Sequence, residues 1–156
     1  MPSSPILSSS KEMSDIANLL CRYCLLPFTP DTIPGAIMEG ALAHVRNAQV
    51  LRTYDFVDVI KPKDRIGWQV KSTKDKTPVT WKRAKLADAA NLIKASESGA
   101  AGVQALGDVI IHFCNAHAAA SMSKYALDAI GFSRLIVRDD GRVARAQPSC
   151  ACQKQP

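Results

Sequence analysis

Residues 54–85 decide the fold and read YDFVDVIKPKDRIGWQVKSTKDKTPVTWKRAK. Two apolar runs, residues 56–60 and 66–70, stand on either side of a polar KPKDR segment. β-branched and aromatic residues on both arms, with Pro62 in the connection, are typical of a β-hairpin. The stretch therefore predicts two antiparallel strands, and residues 62–65 are the natural connection between them.

The second predicted strand carries Gln69 and Lys71, which are two residues apart and so leave the same face. With the connection at residues 62–65, Asp58 lies opposite Gln69 on that face. The other face is then uniformly apolar: Val57, Val59, Ile66, Trp68 and Val70. The alternative register, with Asp55 opposite Gln69, would bury the Asp58 carboxylate among apolar side chains, which is costly without a partner. We favour Asp58, with Asp55 in reserve.

An acid, an amide oxygen and a lysine on one strand pair are suited to metal-assisted phosphate chemistry. Carboxylate and carbonyl oxygens are the ligands that Mg²⁺ prefers, and Mn²⁺ is the alternative ion. Such an ion polarises a phosphate and activates a water. A lysine beside it stabilises the charge that develops on the phosphate, or orients the attacking water.

Asp58, ten further residues and then Gln69-Val70-Lys71-Ser72 resemble the motif of the PD-(D/E)XK nuclease superfamily, particularly the type II restriction endonucleases. Gln69 stands where the usual second acid would be, a departure that some members share and that weakens metal binding. The resemblance implies an α/β (α+β) fold, with a small mixed β-sheet flanked by helices in one domain over residues 1–156. It also implies Mg²⁺-dependent hydrolysis of double-stranded DNA by a homodimer.

A helix that precedes the metal-binding strands often contributes a glutamate in this superfamily. Here Asp31 or Thr32 caps a predicted helix that runs to about residue 48, and Glu39 lies beside its apolar stripe. Glu39 is the only carboxylate between Asp31 and Asp55. The resemblance therefore adds Glu39 to Asp58 and Gln69 as a metal ligand and catalytic residue, with an exposed helical glutamate as the alternative.

The charge of the chain favours an anionic partner. Its net charge is +6, and residues 61–85 hold nine Lys or Arg against two Asp. Contacts of such side chains with phosphates give affinity without sequence specificity. We predict that DNA is bound by Lys61, Lys63, Arg65, Lys74, Lys76, Lys82, Arg83 and Lys85.

The rest of the chain reads mainly as helix. Apolar periodicity predicts helices from Ser10 or Ser14 to about residue 26, over residues 81–96 and over residues 103–127. The long helix has a predicted inward stripe: Val103, Leu106, Ile110, Phe113 and His117. A buried strand over residues 109–113 is the alternative. Residues 132–138 and 142–146 predict a final hairpin around Asp140-Gly141, and residues 1–10 and 148–156 are expected to be disordered.

Composition excludes several classes. Five cysteines without a signal peptide argue against a disulfide framework. Cys21-x-x-Cys24 and Cys150-x-Cys152 offer four thiolates, but one pair falls in a predicted helix and the other in a polar tail, so structural zinc is not expected. No apolar run approaches the ~20 residues of a membrane span, which favours a cytoplasmic protein without a membrane partner. GxGxxG, P-loop and GxSxG motifs are absent from the sequence.

Two other functions stay open on the same fold. One is a structure-specific repair or junction nuclease, because a chain of 156 residues leaves little room for a separate recognition element. The other is a non-catalytic basic DNA-binding module, in which Gln69 marks lost metal affinity.

Overall fold

The computed structural model describes residues 6–27, 33–74, 76, 86–138 and 143–146. Within them the chain has four α-helices: α1 (Ser10–Cys24), α2 (Gly35–Arg46), α3 (Ala89–Ser96) and α4 (Ala100–Lys124). It has five strands in the same ranges: β1 (Gln49–Val50), β2 (Val59–Lys61), β3 (Ile66–Lys74), β4 (Ala129–Val137) and β5 (Val143–Ala146). The predicted mixed α/β class is confirmed.

The strands form one mixed sheet in the order β1-β2-β3-β4-β5. β3 and β4 are parallel, and the other neighbouring pairs are antiparallel. A parallel pair needs a long crossover connection, and residues between β3 and β4 form α3 and α4. β3 is therefore the central strand, with the β2 hairpin on one side and β4 on the other.

The β2–β3 hairpin has the predicted connection. Pro62–Asp64 form one turn of 3₁₀-helix, and Arg65 follows with a φ of 55°. Val59 pairs with Trp68, and Lys61 pairs with Ile66. This register is the one that the sequence favoured, although β2 covers only Val59–Lys61 rather than residues 56–60.

The first face of the sheet packs against α1 and α2. Its core joins Trp68 and Val70 of β3 to Ile16 of α1 and Leu42 of α2. The buried Arg46 guanidinium lies 4.7 Å from the centre of the Trp68 ring. Arg46 also donates to Glu12 over 3.1 Å, so the end of α2 is tied to the start of α1.

The N-terminal segment contributes to the same core. The Trp68 indole N–H donates to the Ile6 carbonyl over 3.0 Å, and the Ile6 side chain packs against this cluster. The Ile6 carbonyl supplies the acceptor that a buried tryptophan donor needs. The disorder expected for residues 1–10 stays a prediction, and residues 1–5 lie outside the described residues. A capping box of Ser9 and Glu12 then begins α1 at Ser10.

The second face packs against the end of α4. Ala118 and Met122 of α4 share a hydrophobic cluster with Leu127, with Ile60 of β2 and with Ile130 of β4. The prediction of helix rather than strand over residues 109–113 is confirmed. The predicted inward stripe is corrected, since Val103 is 58 % exposed and Ile110 is 38 % exposed. Only the last turns of this helix reach the sheet, and its beginning packs against α3 instead.

The other predicted boundaries are close to the observed ones. α1 ends at Cys24 and α2 begins at Gly35. α3 begins only at Ala89, so the predicted helix is wrong over residues 86–88, and residues 81–85 of it lie outside the described residues. β4 and β5 pair as an antiparallel hairpin, while its Asp-Gly turn lies outside the described ranges. In the part of the chain described, no helix has both the length and the apolar character needed to cross a bilayer.

Candidate metal and phosphate site

The regular ladder between β2 and β3 ends at Asp58. Its backbone N–H donates to the Trp68 carbonyl over 2.8 Å. Its carboxylate oxygen Oδ2 accepts the Val70 N–H over 2.7 Å. The side chain thus takes the place of a backbone acceptor, and Asp58 bonds to the residues on either side of Gln69.

This departure from the ladder corrects the predicted position of Val57. Val57 is fully buried, but it packs with Leu127 and Ile130 on the α4 face rather than with Trp68. Strict alternation holds only while the strand stays in register, and the chain leaves the register at Asp58. The other four predicted members of the apolar face lie in the core beside α1 and α2: Val59, Ile66, Trp68 and Val70.

β3 places Gln69 and Lys71 on one face. Gln69 is 2 % exposed, and its partner on β4 is Phe132. Lys71 lies two residues further along and is half-buried. The strand therefore presents a buried amide followed by a more accessible ammonium group, next to the point where Asp58 leaves the ladder.

α2 brings Glu39 to the same place. Met38 and Leu42 hold the helix against the sheet, and the Ser72 hydroxyl donates to the Ile33 carbonyl over 2.6 Å just before the helix. Burial is the main cause that raises the pKa of the Glu39 carboxyl above its ordinary value. The negative charge of Asp58 raises this pKa further, and the positive charge of Lys71 opposes the rise.

These pKa effects tie Glu39, Asp58 and Lys71 into one electrostatic cluster. Two carboxylates that repel each other are relieved when a cation lies between them, and two carboxylates with an amide oxygen are oxygen donors that suit Mg²⁺. Within the described ranges no three His, Cys, Asp or Glu side chains gather into a metal-binding group. An ion here would therefore depend on Gln69 to supply the third side-chain donor.

The reserve acid, Asp55, belongs to a different cluster. Its Oδ2 accepts hydrogen bonds from Thr53 (2.5 Å), Tyr125 (2.5 Å) and Lys124 (2.9 Å). These bonds hold the pKa of the Asp55 carboxyl well below its usual range, and those from Thr53 and Tyr125 have the largest effects. Asp55 ties the loop before β2 to the end of α4, which leaves Asp58 as the acid next to Gln69.

The predicted DNA-binding residues fall into separate groups. Lys61, Lys63 and Arg65 lie at the hairpin connection, where Lys61 pairs with Asp64 over 2.6 Å and Arg65 with Asp128 over 2.6 Å. The five residue steps from Ile66 to Lys71 span about 17 Å along an extended strand. This connection therefore lies at the far end of β3 from Lys71.

Two of the predicted basic residues lie at the other end of that strand. Lys74 is the last residue of β3, and Lys76 follows it; both are exposed. Lys82, Arg83 and Lys85 lie outside the described residues. Among the described members of the predicted set, only Lys74 and Lys76 lie at the same end of β3 as Lys71.

Sequence analysis missed Arg134. It lies on β4 as the direct partner of Lys71 in the parallel ladder, and its Nε donates to the Thr73 hydroxyl over 2.9 Å. No local pattern pairs residues that are 63 positions apart in the sequence. Only the parallel alignment of β3 with β4 brings this second cation beside the site.

The cysteines lie elsewhere. Cys21 and Cys24 are exposed thiols on α1, and Cys114 is a half-buried thiol on α4. Cys150 and Cys152 lie outside the described residues. The two cysteine pairs considered for zinc therefore cannot be compared in space.

Comparison with known proteins identifies no relative of this chain: no protein-family model, no curated protein and no solved structure matches it. The functional interpretation therefore depends on the chemistry of the residues themselves. Its main support is the electrostatic cluster of Glu39, Asp58 and Lys71, together with the hydrogen bonds that Asp58 makes to the residues on either side of Gln69.

Proposed function

We propose that the protein is a Mg²⁺-dependent endodeoxyribonuclease that hydrolyses phosphodiester bonds in double-stranded DNA, as a type II restriction enzyme does. The single observation that carries this proposal is that Asp58 leaves the β2–β3 ladder beside Gln69, where its backbone N–H donates to Trp68 and its carboxylate accepts from Val70. The charges of Asp58 and Lys71 both shift the pKa of Glu39, which supports a single cluster of these three side chains beside Gln69. The mixed sheet with helices on both faces is compatible with a restriction-endonuclease-like core.

Glu39, Asp58 and Gln69 would hold the Mg²⁺ ion, or Mn²⁺ in its place. The bound ion supplies Lewis-acid polarisation of the phosphate and lowers the pKa of a coordinated water. Asp58 is well suited to a fixed ligand position because the Val70 N–H already orients its carboxylate. Gln69 is buried at 2 % exposure, so its amide has little freedom to turn away.

Lys71 would act on the phosphate rather than on the metal. Its ammonium group stabilises the negative charge that grows on the phosphate oxygens, or it orients the attacking water. Lys74 and Lys76 extend the positive charge beyond it at the same end of β3. These two residues would attract the DNA backbone without reading its sequence.

Cutting both strands of a duplex calls for two such sites. We therefore propose a homodimer that acts on DNA in the cytoplasm. Size-exclusion chromatography with light scattering would measure the mass of the particle that cleaves.

The test is cleavage of supercoiled plasmid and of an end-labelled duplex in the presence of Mg²⁺ or Mn²⁺. We expect the wild-type chain to cleave and Lys71→Ala to abolish cleavage while it leaves the fold and DNA binding intact. Lys94→Ala is the matched control, because it removes the same charge from an exposed lysine in the last turn of α3, outside the predicted DNA-binding set. Absence of cleavage by the wild type with either ion would refute the proposal, and unchanged cleavage by Lys71→Ala would remove Lys71 from the mechanism.

Two alternatives share this fold and are separated by the choice of substrate and by calorimetry. Discrete fragments from a long DNA indicate sequence specificity, whereas cutting of branched substrates alone indicates a repair or junction nuclease. The non-catalytic module is favoured by the buried Gln69 in place of an acid. That module would bind DNA without taking up Mg²⁺ or Mn²⁺ in a calorimetric titration.

A further inference from the structure

We infer that Arg134 is a second phosphate-binding residue of this site and contacts the DNA strand that Lys71 contacts. The inference rests on the proposed function and names a residue that the sequence did not indicate. Its basis is the alignment of β4 with β3, which places an arginine directly beside the lysine of the motif.

The alignment fixes which way the two side chains point. Lys71 and Arg134 are Cα partners in the parallel ladder. Neighbouring strands are about 4.8 Å apart, and paired residues of parallel strands leave the sheet on the same face. Arg134 therefore leaves the sheet beside Lys71, on the face where Gln69 and its partner Phe132 also lie.

Thr73 orients the arginine. The Arg134 Nε donates to the Thr73 hydroxyl over 2.9 Å, and that hydroxyl in turn donates to the Leu135 carbonyl over 3.4 Å. Thr73 is two residues after Lys71 on β3. This hydrogen bond draws the guanidinium of Arg134 towards Thr73 of β3, near the end of that strand where Lys74 and Lys76 lie.

An arginine in this position has the chemistry to hold a phosphate. The guanidinium is planar, stays charged at any physiological pH, and presents several N–H donors that match phosphate oxygens in a fixed geometry. Arg134 is half-buried, so its charge is screened less than that of a fully exposed side chain. Lys71 would supply a point charge at the scissile phosphate, and Arg134 would hold the DNA strand in place beside it.

The experiment measures duplex binding and cleavage separately, with four chains. Fluorescence anisotropy of a labelled duplex in EDTA gives the dissociation constant at several salt concentrations, and single-turnover cleavage with Mg²⁺ gives the rate. The variants are Arg134→Ala, Arg134→Lys and the control Arg22→Ala. Arg22 is exposed in the last turn of α1, so the control removes the same charge from another face.

We expect Arg134→Ala to lower the slope of log affinity against log salt by about 0.9, the value for one lost phosphate contact. Such a loss corresponds to roughly eightfold weaker binding at 0.1 M salt. Arg134→Lys keeps the positive charge and should keep the salt dependence of binding. It should cleave more slowly, because an ammonium group lacks the fixed set of N–H donors of a guanidinium. Arg22→Ala should resemble the wild type in both measurements.

Several results would overturn the inference. One is that Arg134→Ala binds DNA with the same affinity and salt slope as the wild type. Another is that Arg22→Ala loses as much affinity as Arg134→Ala, which would show a general effect of net charge. If circular dichroism shows that Arg134→Ala is misfolded, the test depends on Arg134→Lys. A wild-type cleavage rate for that variant would refute the role of the guanidinium N–H donors. A wild type that binds DNA without cleaving overturns the nuclease proposal but still tests Arg134 through the salt slope. A wild type that binds no DNA overturns both.

Discussion

Asp58 is expected to have two separable roles, one in the fold and one in metal binding. Its Oδ2 accepts the Val70 N–H over 2.7 Å where the ladder between β2 and β3 breaks. A hydrogen bond to a charged group contributes about 1.5–3 kcal/mol to stability. Asp58→Ala leaves the Val70 donor without this acceptor, whereas the amide oxygen of Asp58→Asn can still accept the bond.

The two substitutions should therefore differ in thermal stability. For a chain of this size, 1 kcal/mol corresponds to about 2–4 °C in Tm. We expect Asp58→Ala to lower Tm by about 5–10 °C in the absence of metal. Asp58→Asn should lower it much less, partly because it also removes a negative charge that acts on Glu39. Circular dichroism of both variants during a thermal scan measures this difference.

The same scans with Mg²⁺ measure the second role. A ligand at 100 times its dissociation constant stabilises the folded state by about 2.7 kcal/mol, which is about 5–10 °C here. The wild type should show this rise, and neither Asp58 variant should. An equal decrease in Tm for Asp58→Asn and Asp58→Ala would refute the role of the Asp58 carboxylate as the acceptor of the Val70 N–H. An undiminished Mg²⁺ effect in Asp58→Asn would refute its role as a ligand.

Two further predictions concern Glu39 and the packing around Gly131. Burial and the charge of Asp58 raise the pKa of the Glu39 carboxyl in the folded state. Protonated Glu39 therefore stabilises the fold at low pH, and this contribution is lost as the pH rises through the raised pKa. In the absence of metal, Glu39→Gln should have a higher free energy of unfolding in urea than the wild type at pH 7. Below the ordinary glutamate pKa of about 4.3 the two proteins should be equally stable. A lower stability of the variant at pH 7 would contradict this. A Cβ at Gly131 would lie 2.6 Å from Ile6 and 2.7 Å from Trp68. Gly131→Ala should cost about 1–3 kcal/mol in urea unfolding, whereas Gly107→Ala, with open space around it, should not destabilise.

The parts of the site that the sequence predicts are those set by short-range rules. Alternation and the Pro62 connection place Gln69 and Lys71 on one face and set the pairing of Val59 with Trp68. These relations involve residues joined by a tight turn, so few alternatives compete with them. The sequence also places Glu39 next to the apolar stripe of its helix, although it does not show how that helix docks on the sheet.

Other features depend on contacts between distant residues. Arg134 joins Lys71 through parallel pairing, and Asp55 joins Tyr125 across 70 positions. Val57 changes face because the Asp58 carboxylate replaces a backbone acceptor. Periodicity also marks Val103 and Ile110 as inward, but only the last turns of α4 reach the sheet. Local patterns carry no information about any of these contacts.

The most direct test of the central claim is a Mn²⁺ titration followed by electron paramagnetic resonance of the free ion. We expect the wild type to take up one ion per chain at the site of Glu39, Asp58 and Gln69. Asp58→Asn and Glu39→Gln should each abolish or strongly weaken that uptake, while Asp55→Asn should leave it unchanged because Asp55 lies in the Tyr125 cluster. No uptake by the wild type, or equal uptake by all four chains, would contradict the claim that these three residues form a metal site.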